Sequence, residues 1–462
     1  MSLKKKKIAI AGATGFIGSR LCEVLADDFH IIGLSRGKRE NTDIITWHTC
    51  DLYSLESCVS ALAGVDAAVY LVHSMMPSAR LTQARFEDLD LILADNFARA
   101  AQENSIQHVV YVGGLDPDTP DTSVHLSSRM EVEQVLAKRV DCVTAIRAGL
   151  VIGAGGSSYE VLEDVVRKLP IILCPSWTES RMQPIGVDDL TKLIHHSLLE
   201  QGPSGCHDVG ASEIMTYRQL MERAAAQMSL VRSFVSFPLN NTFISSLGVR
   251  LLTGKPIHLI QPLLQSLKHD MLAKNTAFQD RLLPQTQSFE ASFSQACKTE
   301  KKPVHTSKQR KKESKQLKKA SAVRSVQRMY VPDGKDAYWL AEEYLRWLPQ
   351  AFQLLVRAEH ISGGISRMYL QGTRLLLLEL TYQPDRSSSN RAIYTISDGA
   401  LLRGDAQGKG IFEFRIMLDS PVLLTAIHDF HPRLPWYVYT LTQAQVHALV
   451  MHRFARHLAS ML

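Results

Sequence analysis

The chain has 462 residues, 45% of them hydrophobic, which gives room for two or three domains and is ordinary for a soluble globular protein. Its formal net charge of +6 is a local property, because ten Lys and Arg against two Glu between Lys298 and Lys319 carry +8 and leave the remainder at −2. Seven scattered cysteines without a Cys-x-x-Cys pair argue against a disulfide framework or a zinc site, and no apolar run approaches the roughly 18 residues of a membrane span. Reduced thiols and a cytoplasmic protein are the expectation.

The first element is Ile8-Ala9-Ile10-Ala11, a short apolar run that reads as a buried strand. Lys4 to Lys7 before it resemble the front of a signal peptide, but Gly12, Gly15, Gly18 and Arg20 break the apolar run. Those three glycines, at three-residue spacing, open an amphipathic helix with Ile17, Leu21, Val24 and Leu25 on one face. Strand, glycine loop and helix start form the context of a dinucleotide cradle. Gly12 permits the turn, Gly15 leaves room for a pyrophosphate, and Gly18 allows close helix packing. The free N–H groups of the first helical turn then face the phosphates.

The second strand, His30 to Leu34, ends in Ser35-Arg36, with Lys38 and Arg39 following. A carboxylate at this place would bond a ribose 2′-hydroxyl and select NAD; a cation pairs with a 2′-phosphate. NADP(H) is therefore the expected cofactor, with NAD the alternative. Further strands are expected at Ile44 to Cys50, Ala67 to Val72, His108 to Val112 and Cys142 to Arg147, with helical patterns between them. That alternation predicts a doubly wound parallel sheet. From Gly202 to Ala296 the order weakens: a helix starts near Thr216, a strand fits Leu230 to Val235, and the punctuated apolar stretch Pro238 to Leu267 is expected to form a small lid. Contact of this stretch with a membrane surface is the minor alternative.

Residues 298–325 read as a basic, disordered linker with no folded nucleic-acid motif, so nucleic acid is not an expected partner. They separate 1–297 from 326–462. Beyond them come a helix at Ala337 to Leu345, strands at Ile365 to Tyr369, Arg374 to Tyr382, Arg391 to Ile396, Gly410 to Leu418 and Pro421 to Phe430, and a closing helix at Thr442 to Leu458. An α+β domain with a helix laid on an antiparallel sheet is expected. His428, His431, His447, His452 and His457 have no recognised metal spacing, and no metal is expected.

Gly12-x-x-Gly15-x-x-Gly18, Asp51-Leu52, Tyr70-Leu71-Val72-His73-Ser74-Met75 and Val110-Tyr111-Val112-Gly113-Gly114-Leu115 resemble the short-chain dehydrogenase/reductase superfamily, in its atypical, NmrA-like branch. Pro184-Ile185-Gly186-Val187-Asp188-Asp189 resembles the branch's Pro-Ile-x-Val-x-Asp segment, which closes the substrate side. The C-terminal part resembles the uncharacterised domain that follows such reductase-like domains, with a START-like helix-grip architecture that commonly holds an apolar ligand. The resemblance implies a cofactor site of Gly12, Ala13, Thr14, Gly15, Phe16, Ile17 and Gly18 at the pyrophosphate, and Ser35 and Arg36 at the 2′-phosphate. Asp51 and Leu52 would meet the adenine, Val72 and His73 the ribose, and Gly114 the end of the fifth strand. Read from the residues alone, Asp51 is equally a helix cap.

The catalytic pattern departs from the superfamily. No tyrosine is followed four residues later by lysine, and Gly113-Gly114 stand where a serine is expected. His125 and Arg129 have the matching spacing. A histidine serves as a general acid near neutral pH, whereas an arginine stays protonated and relays nothing. Three functions follow: a dinucleotide-binding protein with weak or no standard reductase chemistry, a reductase of a carbonyl or quinone-like substrate through His125 and Arg129, and a carrier of an apolar ligand through the C-terminal domain.

Overall fold

A computed structural model describes residues 5–73, 82–117, 119–120, 122–237, 246, 249–250, 257–299, 322–404, 408 and 410–462. The chain divides into a unit of Met1–Met76 with Leu93–Arg310, and a second of Pro77–Ile92 with Lys311–Leu462.

The first unit is built on seven parallel strands: β1 (Lys7–Ala11), β2 (His30–Ser35), β3 (Ile45–Thr49), β4 (Ala67–Tyr70), β5 (His108–Gly114), β6 (Cys142–Ala148) and β7 (Gly205–Val209). They lie in the order β3-β2-β1-β4-β5-β6-β7. The order reverses between β1 and β4, the place where an open α/β sheet leaves a crevice at its carboxyl ends. Ile8, Ala9 and Ile10 in β1 and Ala68, Val69 and Tyr70 in β4 are buried, as strands covered on both faces require. Helices α1 (Phe16–Leu25), α2 (Leu55–Ala61), α3 (Phe86–Glu103), α4 (Val124–Ala137), α5 (Ser157–Lys168) and α6 (Val187–Glu200) provide the crossovers and flanks.

Strand β7 has no counterpart in the sequence reading. Gly-Cys-His-Asp-Val is short and polar, and it survives as an edge strand because its polar atoms have partners. Cys206 Sγ lies 2.7 Å from Glu133 Oε1, and Asp208 Oδ2 accepts from the backbone N–H groups of Lys274 and Asn275 at 2.8 and 3.2 Å. The strand expected at Leu230 to Val235 runs over Ser233–Phe237 and pairs with Ile171–Pro175. Of the stretch 238–267, residues 238–245, 247–248 and 251–256 lie outside the described residues, and Ile257–Ser266 forms α7. A following helix, α8 (Phe289–Lys298), buries Phe289 and Phe293 beside Tyr159.

The stretch expected as a linker is ordered at both ends: Lys298 closes α8, and Val323 opens a strand. Val323, Val326 and Met329 are buried in that strand at three-residue spacing, which gives no period-2 signal beside the neighbouring lysines. Residues 300–321 lie outside the described residues.

The second unit is a sheet of β8 (Val323–Tyr330), β9 (Val356–Ile361), β10 (Ile365–Leu370), β11 (Leu376–Tyr382), β12 (Arg391–Asp398), β13 (Gly410–Ile416) and β14 (Val422–Phe430). These seven are antiparallel in the order β9-β10-β11-β12-β13-β14-β8, and the two residues Thr82–Gln83 extend the sheet parallel to β8. Helices α9 (Ala337–Ala351) and α10 (Gln443–Ala459) pack on it through one apolar cluster. Tyr344 stands at its centre, its ring 5.3 Å from Phe412, 5.6 Å from Phe414 and 5.1 Å from Phe454. β13 alternates these aromatics with Glu413 and Arg415, which are 1% and 0% exposed. Burial alone would raise the Glu413 carboxyl, but Arg415 and Arg391, together with His428, hold it well below the usual carboxylate range.

Candidate functional site

The loop leaving β1 is shaped by close approaches rather than by side chains. Gly12 has φ +93°, and a Cβ there would lie 3.1 Å from the Leu71 Cβ and 3.2 Å from its carbonyl carbon. The Gly15 N–H donates to Gly12 O at 2.8 Å and closes the turn. A Cβ on Gly18 would stand 2.2 Å from Gly12 O and 2.8 Å from the Ala13 Cα, closer than any such contact tolerates. Helix α1 therefore rests directly on the loop. Its N-cap is Gly15, with no side-chain cap and no acidic residue in the first turn. The helix dipole and the first-turn N–H groups are left for an anion. Ala13 is buried, Thr14 is half-buried and Gly15 exposed.

Phe16 turns its ring toward the loop after β6, where a Cβ on Gly153 would meet it at 2.8 Å and one on Gly156 at 3.0 Å. Beside it lies a cavity of about 390 Å³ lined by Ser19, Arg20, Ala154, Asp188 and Gln295 among others. Asp188 accepts from Arg20 Nε at 2.9 Å and from Gln295 Nε2, and Asp189 accepts from the Gln287 N–H at 2.6 Å. The carboxylates of the Pro-Ile-x-Val-x-Asp segment thus tie helices together.

At the end of β2, Ser35 Oγ accepts from Arg39 Nε at 3.0 Å, and the Arg39 guanidinium lies 5.1 Å from the Trp47 ring centroid. Arg36 is exposed beside them. Asp51 is not the cap of α2: Ser54 is, accepting from the Ser57 N–H. Asp51 Oδ1 instead accepts from the Tyr53 N–H at 3.2 Å, a local side-chain turn that precedes the helix. Leu52 O accepts from Asn96 Nδ2 at 2.9 Å.

Beyond β4 the Leu71 N–H donates to Ala11 O at 2.9 Å, which leads Val72 and His73 out of the sheet beside the glycine loop. Ser74 and Met75 of the same motif lie outside the described residues. His73 Nε2 meets Nδ1 of His125 at 3.2 Å, with ring centroids 4.9 Å apart. This contact joins a residue expected at the ribose to the one expected to donate a proton, and nothing in their separation by 52 residues announces it.

His125 stands in the first turn of α4, which Ser123 caps. Burial, then the neighbouring His73 and Arg129, push its imidazole well below the ordinary histidine range. It is neutral at physiological pH, so the expected imidazolium acid is corrected to a neutral ring that donates from one nitrogen and accepts at the other. One turn on, Arg129 Nε is buried and meets no acceptor among the described residues. Its backbone carbonyl accepts from the Tyr111 hydroxyl at 3.1 Å, fixing α4 to β5. At Gly114 a Cβ would meet Leu126 Cδ2 of α4 at 3.0 Å, so a side chain there requires the leucine tip to shift. Ser123 Oγ also lies 2.9 Å from Ser266 Oγ, which brings the end of α7 to the start of α4.

Residues 8–169 match the model of the NAD dependent epimerase/dehydratase family. The first unit has the doubly wound parallel sheet of a Rossmann fold. A curated relative, the auxiliary protein GraX of Staphylococcus aureus (strain NCTC 8325 / PS 47), is 31% identical over 179 residues, 38% of this chain; the chain spans 55% of that relative's length. Among solved structures, a nucleoside-diphosphate-sugar epimerase from Staphylococcus aureus superposes with a TM-score of 0.50 at 14% identity. The triphenylmethane reductase of Citrobacter sp., complexed with NADP(H), does so with a TM-score of 0.50 at 15% identity. Each covers 63% of this chain and 99% of its own, a likeness of fold. Among the described residues, no helix is long and apolar enough to cross a membrane, and none of the seven cysteines is in a disulfide.

Proposed function

We propose that this protein binds NADP(H) in preference to NAD(H) and does so without the tyrosine–lysine chemistry of the short-chain reductases, in the manner of the atypical NmrA-like branch. The observation that carries the reading is the glycine loop: Gly18 pressed on the Gly12 carbonyl, and an uncapped α1 opening at the switch point of the sheet. Support for the 2′-phosphate comes from the exposed Arg36 at the end of β2, with Arg39 held beside it by Ser35 and Trp47. Calorimetric titration of the full chain with NADPH and NADH tests the proposal. Tighter NADPH binding is expected, and equal affinities would overturn the preference.

A second reading is favoured by the contact of His125 with His73. It is the reduction of a carbonyl or quinone-like acceptor with His125 and Arg129 at the reacting oxygen. NADPH oxidation against a panel of such acceptors tests it, and the absence of turnover with every acceptor leaves a dinucleotide-binding protein. The C-terminal unit is read as a START-like domain because two helices lie on one face of its antiparallel sheet. Binding of an apolar ligand there requires the aromatic layer around Tyr344 to open.

A further inference from the structure

His73, His125 and Arg129 make a constellation that neither the superfamily's tyrosine and lysine nor the glycine loop accounts for. Two imidazoles that share a hydrogen bond through Nε2 of one and Nδ1 of the other hold a single proton between those atoms. If His73 donates, His125 keeps its own proton on Nε2 and offers a donor; if His125 donates, its Nε2 is bare. Arg129 lies four residues on, over the same face of α4, with a buried Nε–H that meets no acceptor among the described residues. A bare His125 Nε2 beside an unsatisfied arginine N–H would invite that missing bond, and the bond is not made. Buried donors without partners carry a substantial cost, which an incoming acceptor relieves.

We propose that His73 Nε2–H locks Nδ1 of His125 as an acceptor, so that His125 Nε2–H and the Arg129 guanidinium form a donor-only cradle for an oxyanion or a carboxylate. The geometry stands by itself; its role in catalysis rests on the reduction reading above. In that role, hydride transferred from the dinucleotide forms the C–H bond at a carbonyl carbon and leaves the π pair on oxygen. The two N–H donors hold that oxyanion, and water supplies the proton. Arginine keeps its proton, and the His125 imidazole is too weakly basic to be charged in advance. Stabilisation by fixed donors, rather than proton transfer, is what these groups offer. His73 is then a positioning residue, acting through His125.

Heteronuclear NMR of the imidazole nitrogens in the full chain tests this without turnover, with the His125 signal assigned by its loss in His125→Phe. The expected result is a proton on Nε2 and a bare Nδ1 in the native protein, mixed tautomers in His73→Leu, and recovery in His73→Gln, whose amide N–H replaces Nε2–H. A His125 protonated on Nδ1 would overturn the proposal. Oxalate serves as the anionic probe: it should shift the His125 Nε2–H signal in the native protein with NADPH bound, and not in Arg129→Gln. A shift that persists in that variant, or one that saturating NADPH abolishes, overturns the cradle, the latter because the cofactor then occupies Arg129. If an acceptor is turned over, His73→Leu should lower kcat by on the order of 10²-fold, and His73→Gln should restore most of it. Absence of turnover with the expected tautomer and oxalate shift removes the reduction reading and leaves the cradle as an anion site.

Discussion

The glycine loop and the first turns of α4 face the same crevice but are specified in opposite ways. In the loop, the constraints are mostly local: Gly12, Gly15 and Gly18 span seven residues of one turn, Gly15 and Gly18 are fitted to the Gly12 carbonyl, and only Gly12 meets a distant residue, Leu71 just beyond β4. At α4 the constraint is collective. His125 acquires its properties from burial, from His73, 52 residues away, and from Arg129, while a Cβ at Gly114 would press on the Leu126 side chain. The comparison teaches that a cofactor cradle survives as a spacing, whereas proton chemistry depends on what the tertiary fold brings into contact.

The sharpest way to break the comparison is in the loop. Gly15→Val should abolish dinucleotide binding while the chain still folds, because its Cβ, 3.1 Å from Gly12 O, and its methyl groups occupy the phosphate approach. Gly18→Val should in addition destabilise the fold by about 1–3 kcal/mol or more through overpacking. Calorimetry and thermal unfolding separate the two; retained NADPH affinity in a folded Gly15→Val protein removes the cradle. On the α4 side, His125→Phe should leave NADPH affinity intact and lower any acceptor turnover by roughly 10²–10³-fold, the loss of one oxyanion donor. A rate that survives the change would move the chemistry to other residues.

A buried histidine at the start of β5 sharpens the same contrast through pH. Burial, and then Lys6, push His108 down to about 4, and its Nε2 lies 2.9 Å from Thr144 Oγ1. Above about pH 6.5 both folded and unfolded chains hold it neutral and stability is indifferent to it. Between about 6.5 and 4 the unfolded chain binds a proton that the folded one refuses, so stability falls as pH falls, by up to about 3 kcal/mol from this residue. His108→Gln should flatten that part of the urea-midpoint profile; an unchanged slope would show that His108 is not kept neutral. The smallest effect belongs to Arg36→Ala, which should reduce the preference for NADPH over NADH by about 1–3 kcal/mol, read from paired titrations. An unaltered ratio assigns the preference to Arg39 or Lys38.

Six of the seven parallel strands were legible because a sheet buried on both faces demands short, nearly continuous apolar runs, and Ile8 to Ala11 or His108 to Val112 cannot be read otherwise. β7 escaped because an edge strand tolerates Cys206, His207 and Asp208 once Glu133, Lys274 and Asn275 supply partners. β8 escaped because its buried apolar residues are three apart rather than alternating, and they follow closely on the lysine-rich run. In the second unit most strands were placed within two residues, since turns rich in Gly, Asp and Ser punctuate them. The burial of Glu413 and Arg415 was not legible, because alternation alone reads such residues as facing water.

By itself, the sequence determined the doubly wound sheet, the helix-covered antiparallel sheet and the position of the glycine loop, because backbone periodicity and glycine spacing are local properties that need no partner. Only the tertiary structure decided that Ser54 rather than Asp51 caps α2, that Asp188 and Asp189 are ties between helices, and that His73 meets His125. Those outcomes depend on which polar groups are desolvated together, and burial and proximity are set by the packing of elements far apart in the chain.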